Sequence, residues 1–142
     1  MVCNIVWDKG DVEGKRSFNA GNLSPFYQAP LNCWEHVLVF KKPGESVPVA
    51  NLNYVLKIQP VIKMIKGVNT FGHTAPYPVE LPLALVKDLP EFSLIVDPFG
   101  GSGTSARAAL MLNQSALIIE KDATYAKLAN RLCKEFETEL EN

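Results

Sequence analysis

A chain of 142 residues with 47% apolar and 20% charged residues is long enough for one hydrophobic core, and it contains no apolar run near the ~20 residues of a membrane span. Its formal net charge of −1 disfavours a protein that simply coats nucleic acid with Lys and Arg. There is no basic and apolar leader, and the three cysteines are unclustered. We therefore expect a cytoplasmic protein with reduced thiols and no metal site.

The first half of the chain predicts strands separated by one long loop. Residues 2–7 are β-branched and apolar, and residues 34–42 alternate between apolar and polar side chains, as strands do. Residues 8–33 are rich in Gly, Asn, Ser and Pro, and a loop of that length in a compact domain is usually functional. Pro60 divides residues 54–64 into two short extended pieces, because proline removes a donor from a β-ladder.

Basic residues outnumber acidic ones over residues 1–68, a segment that includes Lys9, Lys41 and Lys42. The last residues of the chain are acidic. The first half is therefore the better candidate for contact with a polyanion.

The second half predicts a βαβα unit of α/β type. A helical pattern with Pro78 in its first turn ends before Pro90. It is followed by a strand over residues 94–96, a helix over 103–112, a strand over 116–119 and a helix over 123–136. No repeat or boundary divides the chain, so we expect a single domain over residues 1–142.

A glycine-rich turn over residues 97–104, DPFGGSGT, is the most specific local signal. Gly101 and Gly103 with Ala106 fit the dinucleotide-binding fingerprint, and Glu120 ends the next strand, where an acid would bind ribose hydroxyls. No lysine follows the last glycine, which excludes a Walker loop. The alternative interpretation is a turn whose glycines serve only close packing of strand and helix.

Asp97 discriminates between the ligands that such a turn could bind. A carboxylate at the mouth of the turn would repel a pyrophosphate, but it would attract an ammonium by ~4 kcal/mol in a partly buried site. S-Adenosylmethionine carries an ammonium, a sulfonium and a ribose diol, and it has no phosphate. It therefore fits the turn better than NAD does.

Several segments together resemble the β-class amino-methyltransferases of DNA, whose cofactor motif reads Asp-Pro-Phe-x-Gly-Ser-Gly-Thr. Residues 96–109 and 117–132 resemble the cofactor half of that family. Residues 72–85 resemble its segment over the methionine end of the cofactor, and residues 34–44 resemble the strand after its catalytic hairpin. The resemblance implies an α/β fold with a partial Rossmann-like methyltransferase sheet, made of the βαβα unit and one or two antiparallel strands.

The resemblance also implies an S-adenosylmethionine site over residues 73–136. Asp97 would orient the ammonium, the amides of residues 99–103 would lie close to the ligand, Glu120 would bind the ribose diol and Asp122 would lie near the adenine. A purely local hydrogen bond is the alternative for His73. The implied binding residues are His73, Thr74, Pro76, Asp97, Pro98, Phe99, Gly100, Gly101, Ser102, Gly103, Thr104, Glu120, Lys121 and Asp122.

The catalytic motif of the family, an Asp/Asn/Ser-Pro-Pro-Tyr/Trp/Phe turn, belongs N-terminal to all of these segments. The nearest string is SPFY, but Phe26 replaces its second proline and no apolar strand precedes it. We interpret Ser24 and Tyr27 as part of a loop that packs or contacts DNA. Hence we expect no catalytic residue in this chain.

In the family, the strand before the glycine turn lies between the strand that ends at Glu120 and the strand that carries the catalytic turn. We therefore expect a partner that completes the sheet, in a heterodimer that methylates the exocyclic amine of adenine or cytosine in DNA. Expressed alone, the chain would self-associate. A non-enzymatic half that binds cofactor or protein is the alternative.

Overall fold

The computed structural model describes residues 3–10, 33–44, 53–61, 64–65, 68–69 and 71–140. Most of the loop predicted for residues 8–33, including Ser24 and Tyr27, lies outside the described residues. No helix in the described part is long and apolar enough to cross a membrane.

The first sheet has three strands, β1 (Cys3–Asp8), β2 (Trp34–Val39) and β3 (Val55–Lys57). β1 lies in the middle, antiparallel to β2 and parallel to β3. The strands predicted over residues 2–7 and 34–42, and the extended piece predicted before Pro60, are confirmed. A short antiparallel pair, β4 (Met64–Ile65) and β5 (Val68–Asn69), follows.

The alternation of β1 places Ile5 and Trp7 on one face, where both are buried with Leu56 and Leu81. The indole N–H of Trp7 donates to the carbonyl of Ile58 at 2.8 Å, so its polar atom is satisfied inside the core. This cluster fixes the first sheet against α1 (Glu80–Val86).

Lys9 follows β1 directly and is buried, with 4% of its surface exposed. Its ammonium pairs with the Glu35 carboxylate and lies 4.9 Å from the centroid of the Trp7 ring. Lys9 is therefore a paired interior charge and is not available to a polyanion, whereas Lys41 and Lys42 are exposed.

The second half forms the predicted βαβα unit, with β6 (Leu94–Asp97), α2 (Thr104–Met111), β7 (Ser115–Ile118) and α3 (Ala123–Leu140). β6 and β7 are parallel, and α2 connects them, packing on both strands and on α1 and α3. Pro78 was expected inside the first turn of α1, but it precedes the N-cap, Val79. Pro82 is the proline inside that turn, where an amide has no intrahelical partner.

One face of the β6–β7 sheet is open. Leu94 and Val96 of β6 are 60% and 53% exposed, and Leu117 and Ile119 are 51% and 52% exposed. Among the described residues β6 pairs only with β7, so its other edge is also open. Parallel strands are usually covered on both faces, so this sheet is a partial one.

Candidate cofactor-binding site

A tight turn joins the end of β6 to the start of α2. Gly101 and Gly103 have φ angles of +52° and +75°, in the left-handed region that favours glycine. Gly103 is the N-cap of α2, and its N–H donates to the carbonyl of Gly100 at 2.8 Å. The glycines thus form the strand–turn–helix junction that the fingerprint requires.

Close packing accounts for two of the turn's three glycines. A Cβ atom on Gly100 would lie 1.9 Å from Cγ2 of Ile118. One on Gly103 would lie 3.1 Å from both Cβ of Ala129 and Sγ of Cys133. Close packing therefore favours glycine at these two positions, and their contact with a ligand stays a prediction.

The change Gly100→Ala is expected to lower the free energy of unfolding by roughly 1–3 kcal/mol, because the new methyl group overlaps Ile118. The matched control is Ile118→Ala, which removes the overlapping Cγ2. In a double-mutant cycle measured by urea denaturation, Gly100→Ala should cost less in the Ile118→Ala background than in the wild type. Equal costs in both backgrounds would show that the overlap is not the cause.

Two carboxylates accept hydrogen bonds from the amides of the turn. The N–H of Phe99 donates to Oδ1 of Asp97 at 2.9 Å. The N–H of Gly101 donates to Oε2 of Glu120 at 2.8 Å. These amides are therefore occupied by the protein's own anions and do not form a vacant cradle for a phosphate.

The second oxygen of Asp97 is held from the other side by two hydroxyl groups. Ser105 Oγ donates to Asp97 Oδ2 at 2.6 Å, and Tyr77 Oη lies 2.9 Å from Ser105 Oγ and 3.5 Å from Asp97 Oδ2. Burial, reinforced by the Asp97 charge, raises the pKa of Tyr77 even though the Ser105 hydrogen bond opposes this. The phenol therefore keeps its proton at neutral pH.

Glu120 lies two residues beyond the end of β7. Its Oε1 accepts the N–H of Asp122 at 2.7 Å, in addition to the Gly101 bond on Oε2. Hydrogen bonds from the Asp122 and Gly101 amides hold the pKa of Glu120 below its usual value. Glu120 is thus an ionised acceptor that also accepts the amide of Lys121 and keeps a lone pair for a further donor.

Asp122 caps α3 at its N-terminus. Its Oδ1 accepts the amides of Thr124 at 2.7 Å and Tyr125 at 3.2 Å, and these bonds, led by that from Tyr125, lower the pKa of Asp122. This capping role is independent of any ligand. The contact of Asp122 with an adenine stays a prediction.

The segment that begins at His73 lies against the turn and α3. His73 Nδ1 accepts the N–H of Ala75 at 3.1 Å, which is the local hydrogen bond named as the alternative role of His73. Its ring packs on Tyr125 with the centroids 4.3 Å apart, and Tyr125 Oη donates to Thr74 Oγ1 at 3.4 Å. A Cβ atom on Gly101 would lie 3.0 Å from His73 Nε2. Gly101 therefore borders the space between the turn and this segment.

The remaining predicted residues differ in exposure. Ser102 and Thr104 are buried, and their hydroxyls lie 3.3 Å apart, so only their backbones could approach a ligand. Phe99 is 87% exposed. Pro98 and Lys121 are also exposed, and Pro76 is half-buried.

Sequence reasoning missed Tyr77, Ser105 and Tyr125 as members of the site. Tyr77 and Ser105 are 28 residues apart, and no periodicity relates them. The available signal was the position of Tyr77 inside the segment 72–85, which the family resemblance had already assigned to the cofactor. Among the described residues, no three His, Cys, Asp or Glu side chains are grouped closely enough to hold a metal ion.

The fold and the site together define a class of protein. A parallel βαβ unit with a glycine turn after its first strand and an acid after its second is typical of one half of a Rossmann-like α/β fold. The family model described as DNA methylase, for N6 and N4 methylation, matches residues 4–131. The chain belongs to this DNA methylase family.

The comparisons with individual proteins agree with this assignment. The chain is 38% identical over 141 residues to the type II beta methyltransferase M.BslI of Bacillus sp. (strain NEB-606), a match that covers 91% of this chain and 16% of the relative. The chain thus spans about a sixth of that relative's length.

Two solved structures share the fold. The M1.HpyAVI–SAM complex matches with a TM-score of 0.53 and 19% identity, over 92% of this chain and 60% of that chain. The cytosine-N4-specific PvuII DNA methyltransferase matches with a TM-score of 0.57 and 14% identity, over 96% of this chain and 56% of that chain. The predicted α/β methyltransferase fold is confirmed.

Proposed function

We propose that this chain binds S-adenosylmethionine at the glycine turn and takes part in methyl transfer to the exocyclic amine of adenine or cytosine in DNA. One observation carries the proposal: the turn amides of Phe99 and Gly101 are occupied by Asp97 and Glu120. A pyrophosphate at this turn would meet two carboxylates and find those amides occupied. A ligand with an ammonium and a diol would meet acceptors at both of its ends.

The residues present fit S-adenosylmethionine. Asp97 keeps a lone pair on Oδ1 for the ammonium, and Glu120 keeps one for a ribose hydroxyl. The missing Cβ of Gly101 lets the turn and the segment around His73 lie close together, since a Cβ there would lie 3.0 Å from His73 Nε2. When bound, S-adenosylmethionine supplies an activated methyl group on its sulfonium.

The chain's own contribution to transfer is then to bind and orient the methyl donor. Fixing the donor relative to the acceptor nitrogen can supply much of the rate enhancement, because the translational and rotational entropy of the two reactants is then lost on binding and not in the reaction step. A complementary subunit would supply the Pro-Pro turn that hydrogen-bonds the target amine and the aromatic side chain that stacks on the flipped base.

The open part of the β6–β7 sheet supports the proposal of a complementary subunit. Leu94, Val96, Leu117 and Ile119 form an exposed apolar face, and the free edge of β6 is the position that the family resemblance gives to the catalytic strand. We infer that the complementary subunit covers both the face and the edge. M.BslI is named a type II methyltransferase, and we place this chain in the same kind of modification system.

Ligand choice tests the first part of the proposal. Asp97→Ala should weaken binding of S-adenosylmethionine by roughly 1.5–3 kcal/mol, the range for a hydrogen bond to a charged group. The wild type should bind S-adenosylmethionine and not NAD. Calorimetry on the chain, or on its complex, measures both.

Glu91→Ala is the matched control, because it removes the same charge from an exposed loop before β6. This variant should bind S-adenosylmethionine with the affinity of the wild type. Tighter binding of NAD than of S-adenosylmethionine, or full affinity in Asp97→Ala, would contradict the assignment.

Methyl transfer tests the second part. The chain is combined with a polypeptide that carries an Asp/Asn/Ser-Pro-Pro-Tyr/Trp/Phe turn and is encoded beside it, and radiolabelled methyl incorporation into DNA is measured. We expect incorporation only when both are present. Cofactor binding without transfer in the assembled complex would instead favour the non-enzymatic binding module.

A further inference from the structure

Tyr77, Ser105 and Asp97 form a chain of hydrogen bonds with a defined direction. An ionised carboxylate can only accept, so Ser105 donates its proton to Asp97 Oδ2 across 2.6 Å. The Ser105 oxygen is then free to accept from Tyr77 across 2.9 Å. Tyr77 keeps its phenolic proton because burial raises its pKa. The chain therefore runs from the phenol through the serine to the carboxylate.

The two hydroxyl groups are held by different parts of the fold. Ser105 is buried in the first turn of α2, with 8% of its surface exposed. Tyr77 is half-buried and packs its ring against the core cluster of the first sheet. Its hydroxyl lies 3.5 Å from Oδ2 of Asp97, at the end of β6 in the β6–β7 sheet. Tyr77 thus connects the segment before α1 to the carboxylate beside the glycine turn.

Packing alone does not require these hydroxyls. A phenylalanine at position 77 would fill the same space in the core, and an alanine at position 105 would favour the helix more than serine does. Burying two hydroxyl groups costs free energy unless both are bonded. Here the chain of bonds ends on one carboxylate, Asp97, so the two hydroxyl groups together restrict the orientation of that carboxylate.

We propose that Tyr77 is a positioning residue that acts through Ser105 to hold the Asp97 carboxylate toward the ammonium of the ligand. Recognition of the amino-acid end then depends on how the segment around Tyr77 docks on the turn. This inference rests on the proposed binding of S-adenosylmethionine.

The test compares two ligands on the same protein by calorimetry. S-Adenosylmethionine has the ammonium, whereas 5′-deoxy-5′-methylthioadenosine has the same nucleoside without the amino-acid end. Tyr77→Phe should lower the affinity for S-adenosylmethionine roughly threefold to tenfold, as expected for the loss of one neutral hydrogen bond. Ser105→Ala removes the hydrogen bond to the Asp97 carboxylate. It should lower the affinity for S-adenosylmethionine roughly 10-fold to 100-fold. Neither variant should change the affinity for methylthioadenosine.

The double variant Tyr77→Phe/Ser105→Ala distinguishes a chain from two separate contacts. Its loss of affinity for S-adenosylmethionine should be smaller than the sum of the two single losses, because Tyr77 and Ser105 bond each other as well as Asp97. Additive losses would overturn the relay. Equal losses for both ligands would show that Tyr77 and Ser105 are merely structural.

The wild type separates this inference from the proposed function. Failure of the wild type to bind S-adenosylmethionine would overturn both. Binding by the wild type with unchanged affinity in Tyr77→Phe and Ser105→Ala would leave the proposed function standing and would overturn the positioning role alone.

Discussion

Gly101→Val is expected to abolish detectable binding of S-adenosylmethionine. Gly101 has a φ of +52°, which a β-branched residue adopts only with strain, and its Cβ would lie 3.0 Å from Nε2 of His73. The branch beyond that Cβ would fill the space between the turn and the segment around His73. Calorimetry with the wild type and the variant at equal concentrations measures the loss.

Gly44→Val is the matched control for backbone strain. Gly44 has a φ of +83°, and a Cβ built on it meets no atom within 4 Å. It therefore carries a similar conformational penalty at a turn that is not part of the proposed site. The Gly44→Val variant should keep the wild-type affinity for S-adenosylmethionine. Equal loss of affinity in both variants would attribute the effect to strain in the chain and not to the approach of a ligand.

The sequence was sufficient for features that depend on local chemistry. β-Branched and apolar residues predicted β1, alternation predicted β2, and the pattern of glycines after an apolar strand predicted the turn between β6 and α2. The fingerprint also predicted that Glu120 would lie beside the turn, and the 2.8 Å bond from Gly101 shows that it does. These features follow from backbone preferences and from the fixed geometry of a parallel βαβ unit.

Features that depend on long-range packing were not predictable from the sequence. The contact between Tyr77 and Ser105 requires the segment before α1 to dock on α2, and no local pattern encodes that distance. Lys9 counts as a surface charge by composition, yet the strand pairing places it beside Glu35 in the interior.

The chain alone is expected to self-associate or precipitate, and with its complementary subunit it should form a heterodimer that survives dilution. The reason is the exposed apolar face of Leu94, Val96, Leu117 and Ile119, together with the free edge of β6. Covering such a surface would bury on the order of 1,000 Å² or more per partner, as in obligate complexes. Light scattering across micromolar concentrations measures self-association of the isolated chain. Size-exclusion chromatography of the complex measures whether the heterodimer survives dilution.

Charges placed on this face give the sharper test. The double variant Val96→Lys/Leu117→Lys should weaken the heterodimer by roughly a hundredfold or more, because an unpaired ammonium would be buried at each position. The same variant should reduce self-association of the isolated chain. Leu140→Lys adds a charge at an exposed apolar residue at the end of α3, outside the face, and should alter neither property. A wild-type chain that is a compact, cooperatively unfolding monomer at micromolar concentration would contradict the proposed cover, because the open face would then be stable in water without a partner.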